Sequence, residues 1–248
     1  MSQLIHKMRP VRLEKDEFSA PFLRPIIKQG LLEGTCISLF GDPGVGKTIF
    51  CQSMAKNLLE DDVVVLYVTT DRSPQDLRLD FRMHEIDVQA KEKERKFAFV
   101  DGYSWLTGMS TEVFSAQNLA NLSELIITID KALNCFDDRI FVVVDSVSPL
   151  PLYNPEIDVT KFMQLLISKI RTKKGLGLFV VQSGVHTKEF CNALSYLSDG
   201  VFDLKVEEGH EGFKRFFRVR NLRYSNHDTR WFPLSVTSGD ITLLSQEA

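Results

Sequence analysis

The chain has 248 residues, 44% of them hydrophobic and 25% charged, with a formal net charge of −3. These values are those of an ordinary soluble protein with one large α/β domain, and the near-neutral balance argues against wholesale coating of nucleic acid or membrane. Cys36, Cys51, Cys135 and Cys191 are far apart and form no CxxC pair, the histidines form no ligand-spaced cluster, and no run of about 18 uninterrupted apolar residues occurs. Disulfides, a zinc site, a secretory segment and a membrane span are therefore not expected, and a reducing, cytoplasmic setting is.

In chain order, a polar leader over 1–21 precedes a single domain over 22–248. The apolar run 36–40 reads as a buried strand, and 49–59 places Phe50, Met54, Leu58 and Leu59 at helical spacing. Between them stands Gly41-Asp42-Pro43-Gly44-Val45-Gly46-Lys47-Thr48, a complete GxxxxGKT loop that continues into Ile49. Glycines let such a backbone curl around phosphate oxygens, so that its N–H groups and the helix N-terminus cradle an anion. Lys47 would bridge the β- and γ-phosphates of a nucleoside triphosphate and Thr48 would ligate Mg²⁺.

The run 63–69 predicts a second strand, and Ser73-Pro74 an N-cap opening a helix over 75–84. The mixed charges of 91–96 read as a solvated surface. Residues 97–101 predict the third strand and 117–133 a helix, while 141–145 predicts a fourth strand ending in Asp145, where a carboxylate would meet the Mg²⁺. Asp101 also ends an apolar run, but Gly102 follows and a turn explains it. Asn154-Pro155 marks the start of another helix, and 178–182 a fifth strand ending in Gln182. Strands over 201–206, 215–222, 232–236 and 241–244, with turns at 208–212 and 238–240, predict an antiparallel end.

Four stretches, around 66–74, 143–148, 197–202 and 218–228, resemble the KaiC/RadA-paralogue branch of the RecA superfamily, nearest the archaeal RadC-like RadA paralogues. The likeness runs from about Ile26 to Leu244. It implies a RecA-like P-loop NTPase core, with a mostly parallel central sheet flanked by helices and an antiparallel C-terminal extension, using ATP and Mg²⁺. It also implies Asp71 as the acid that orients or deprotonates the attacking water, Gln182 as a γ-phosphate sensor, and Arg223 as a finger reaching a neighbouring subunit's nucleotide in a homo-oligomer. The family commonly has two glutamates where this chain has Asp71 and Arg72. A shorter carboxylate beside a cation, its proton affinity lowered by that charge, implies slow hydrolysis. Asn221 stands where relatives carry a lysine, which weakens subunit-coupled catalysis.

Between 214 and 230, Lys214, Arg215, Arg218, Arg220, Arg223 and Arg230 face Asp228 alone, interleaved with Phe216 and Phe217. Such a run could track single-stranded DNA; a half-buried hairpin with core aromatics explains it as well. The loops over 147–156 and 183–195, the second with His186, Lys188 and Phe190, fall where recombinases of the superfamily contact DNA. The first functional expectation is a recombination or repair accessory that binds single-stranded DNA or modulates a RadA-type recombinase. The alternative is a KaiC-like ATP-dependent switch acting through protein partners. A third is a scaffold ring like the Elongator accessory subcomplex.

Overall fold

The computed structural model describes residues 17–209, 212–237 and 240–244. The expected turns at 208–212 and 238–240 fall partly, and the leader mostly, outside the described residues. Two short strands, β1 (Glu17–Phe18) and β2 (Leu31–Leu32), pair antiparallel. Phe18 is fully buried, with the Arg139 guanidinium 4.4 Å from its ring centroid. Packing thus begins before residue 22, because one apolar ring among charged neighbours finds a place in the core.

The remaining strands are β3 (Cys36–Gly41), β4 (Val64–Thr69), β5 (Phe97–Asp101), β6 (Phe114–Ser115), β7 (Ile140–Asp145), β8 (Leu176–Gln182), β9 (Gly200–Gly209), β10 (Gly212–Leu222), β11 (Phe232–Thr237) and β12 (Asp240–Leu243). They form one sheet in the order β12-β11-β10-β9-β3-β8-β7-β4-β5-β6. Pairing is parallel from β9 to β6 and antiparallel from β9 to β12. The mostly parallel core with an antiparallel C-terminal extension is the expected architecture.

The central strands are continuous apolar runs because both faces are covered. Leu39, Tyr67, Val143 and Val180 face a layer made by α1 (Lys47–Glu60), α2 (Pro74–Met83) and α3 (Val88–Lys93). Their neighbours Phe40, Leu66, Val142 and Phe179 face α4 (Leu122–Leu133), α5 (Glu156–Thr172) and α6 (Lys188–Leu197).

Local chemistry moves several boundaries. The helix expected over 117–133 begins at Leu122, because Asn121 accepts the Glu124 N–H and caps it. Part of the charged run 91–96 lies in α3, capped by Asp87 and anchored by buried Val88. Asn154 does not cap α5; its amide donates to Leu119 O and Leu150 O. The loop expected over 183–195 ends at Thr187, whose hydroxyl accepts the Phe190 N–H and opens α6. Ser73 caps α2 as read, accepting the Asp76 N–H at 3.1 Å.

Candidate functional site

The glycine loop joins β3 to α1 at the carboxyl edge of the parallel sheet, between β8 and β9, where flanking connections diverge and leave a crevice. Gly44 and Gly46 have φ of 72° and 104°, left-handed values that a side chain resists. A Cβ on either would meet nothing within 4 Å, so both turn an open backbone surface outward. Val45 between them is fully buried and anchors the loop to the core.

Lys47 folds across this loop. Its Nζ donates to Gly41 O at 2.9 Å, Asp42 O at 2.8 Å and Gln182 Oε1 at 2.9 Å. Burial pulls the Lys47 ammonium below the ordinary lysine value, opposed by Asp145, Asp42 and Asp71. Gln182 ends β8, next to β3, so adjacent strand ends bring the two side chains together. The Gln182 N–H donates to Ser148 Oγ at 2.7 Å, which also meets His186 Nε2 at 2.9 Å.

Asp145 ends β7, 3% exposed, and its carboxylate accepts the Tyr67 hydroxyl at 2.6 Å. Burial raises its pKa above the ordinary carboxylate range, while hydrogen bonds from Tyr67 and Thr48 and the charge of Lys47 pull it down. The Thr70 hydroxyl bonds Ser146 O and accepts the Ser146 N–H, tying the ends of β4 and β7 together. Thr69 Oγ1 donates to Arg72 O at 2.6 Å and fixes the turn that carries Asp71.

Asp71 is an exposed residue by surface area, yet it lines the same cleft as Asp145, with neighbouring protein crowding its carboxyl. Burial first and the Asp145 charge second push its carboxyl up to about 7. The expected effect of Arg72, a lowered proton affinity, is present but smaller: the guanidinium turns away and pairs with Asp80 on α2.

Pro43, Gly44, Gly46, Lys47, Thr48, Ile49, Asp71, Asp145 and Gln182 all line one cleft of ≈ 560 Å³, a volume suited to a small molecule. Its donors suit Mg²⁺-triphosphate: a curled backbone and an ammonium for phosphates, and beside them a hydroxyl and two mutually repelling carboxylates, hard oxygen ligands for a divalent cation. Asp101 takes no part, since it accepts the N–H groups of Tyr103 and Ser104 and the Ser110 hydroxyl.

Arg223 is not brought to this cleft. Its N–H donates to Asp199 O and its guanidinium lies 3.4 Å from Asp199 Oδ1, while Asp199 donates its own N–H to Cys36 O. Cys36 starts β3, so Arg223 belongs to the amino edge of the sheet, about 16 Å of strand rise from the loop.

The basic run is largely spent on nearby acids. Asp203, 6% exposed, accepts from Arg218 Nη2 at 2.7 Å and from Arg220. Arg220 stands two residues beyond Arg218 and so shares its face of β10, and it reaches the same carboxylate just where a β-bulge falls between Val219 and Asn221. Arg230 pairs with Asp228, Phe217 is fully buried, and Phe190, which lies in α6 and not in the expected loop, is 2% exposed and unable to stack on a base.

Sequence reasoning missed Tyr67, a hydroxyl-tipped ring within the aliphatic strand 64–69, and Gln52, a polar residue one turn past Thr48. Both signals were present in the pattern, but only packing shows where they point.

A model of the family "ATPase: KaiC" matches residues 20–248. The chain is 28% identical to a UPF0273 protein of Thermotoga maritima, covering 92% of this chain and 94% of that one. It is 29% identical to a UPF0273 protein of Pyrococcus horikoshii, covering 89% and 90%. The solved structure of a KaiC-like protein from Pyrococcus horikoshii superposes with a TM-score of 0.78 at 21% identity, covering 93% of this chain and 99% of that one, a likeness of fold. With its glycine loop, strand-end acids and sheet order in place, the chain belongs to the KaiC ATPase family.

Proposed function

We propose that this chain is an ATP·Mg²⁺-dependent switch with slow hydrolysis that acts through protein partners. The loop amides and Lys47 would hold the phosphates, and Thr48 with Asp145 would hold Mg²⁺, which neutralises charge between the β- and γ-phosphates. Asp71 would take the proton of the attacking water, and Gln182, already bonded to Lys47, would register whether a γ-phosphate is present. Arg223 lies too far from its own chain's cleft to touch that phosphate, so a finger role requires a second copy of the chain.

The observation that favours a switch over a DNA-directed accessory is the pairing of Arg218 and Arg220 with one buried carboxylate, Asp203. Cations neutralised within the fold release few counterions when a polyanion approaches. Titration of a short single-stranded oligonucleotide at low salt, with ATP and Mg²⁺, tests the choice. Weak binding that hardly depends on salt is expected. Tight binding that falls steeply with added salt would overturn the switch and restore the recombination accessory with its RadA-type partner.

A further inference from the structure

Gln52 stands on α1 one turn beyond Thr48, on the same face of the helix. It is 1% exposed, yet it lines the cleft that Thr48, Asp71 and Asp145 also line. Neither its Oε1 nor its Nε2 has a partner among the described residues. At the end of α2, His84 lines the same cleft, and its buried Nδ1 is also unpaired. A buried amide with both ends unmet costs folding free energy, and an apolar side chain of similar shape would fill this helix position without that cost. Gln182 Nε2 in the same wall is likewise buried and unpaired among the described residues, and three such side chains around one cleft mark a place where the hydrogen-bond partner is not protein.

Asp71 can accept a proton, but one carboxylate does not fix the direction of a water molecule. An amide supplies a donor and an acceptor on one rigid group, without adding charge beside two carboxylates. We infer that the Gln52 amide orients the water that attacks the γ-phosphate, with Asp71 as the proton acceptor. This rests on the proposed reading of the cleft as an ATP·Mg²⁺ site. The water oxygen bonds to the γ-phosphorus as the bond from that phosphorus to the β–γ bridging oxygen breaks. ADP leaves with the electron pair, the water's proton passes to the Asp71 carboxylate, and Gln52 ends unchanged.

The test compares the full chain with Gln52→Met, which keeps length and volume, and Gln52→Ala, by thermal melting, ATP·Mg²⁺ calorimetry and single-turnover hydrolysis. The expected result for Gln52→Met is a melting temperature unchanged or raised by about 2–4 °C, ATP affinity within about twofold, and a rate lower on the order of a hundredfold. Gln52→Ala should show the same loss of rate even if its cavity lowers the melting temperature. An unchanged rate in the methionine variant would overturn the inference. So would a fall in its melting temperature, which would make the amide a structural group, or a wild-type protein that binds ATP·Mg²⁺ without turnover. Wild-type protein that binds no ATP·Mg²⁺ would instead remove the reading of the cleft itself.

Discussion

Asp71 shows how environment outweighs a chemical neighbour in the sequence. Arg72 is adjacent in the chain, but its charge is committed to Asp80, while burial and Asp145 act on the carboxyl directly and hold it up to about 7. A general base must be charged to accept a proton, and this one is charged only above that value. The hydrolysis rate at sub-saturating ATP should therefore rise with pH between roughly 6 and 8 and then level off. Asp71→Asn should lose both the activity and the rise, and a flat profile would remove Asp71 from the proton transfer. Tyr67 acts through Asp145: Tyr67→Phe leaves a buried carboxylate one hydrogen bond short, at a cost of about 1.5–3 kcal/mol. Thermal melts should show the loss, and Mg²⁺ titrations of ATP binding should show affinity weaker by roughly ten- to a hundredfold. The phosphate loop and Asp145 were legible from residue order because a local motif makes them. Tyr67 and Gln52 were not, since their roles depend on strands and helices distant in sequence.

The elements explain why the site holds its shape. The loop between β3 and α1 depends on left-handed glycines, and Gly46→Ala should weaken ATP binding more than tenfold while costing about 1–2 kcal/mol of stability. Open space around the added methyl makes that a backbone effect, which calorimetry and melting together will separate from a steric one. At the other end of the chain, the β9–β10 hairpin neutralises its own arginines. Asp203→Asn should cost about 1–2 kcal/mol, discounted because the Arg218 and Arg220 side chains are 30% and 47% exposed. It should also free two guanidiniums, so oligonucleotide affinity at low salt should rise, with a steeper salt dependence. No rise would mean that this face does not meet phosphates even when its charge is released.

For the whole molecule, nucleotide cleft and Arg223 lie at opposite edges of one sheet. The proposed finger role of Arg223 would then require an assembly, and sizing with and without ATP·Mg²⁺ checks it: larger species should appear with ATP·Mg²⁺, and Arg223→Ala should slow turnover in them without changing ATP affinity. No helix among the described residues is long and apolar enough to cross a membrane. The sequence by itself determined the strand–helix alternation, the continuous apolar strands, the phosphate loop and its strand-end aspartate, because each rests on neighbours within a few residues. Only the tertiary structure decided which charges were already satisfied, that Asp71 and Asp145 share a cleft, and that Gln52 is buried without a partner among the described residues. Those properties belong to distances between elements far apart in the chain, and burial and Coulomb interactions act over distance in space, not along sequence.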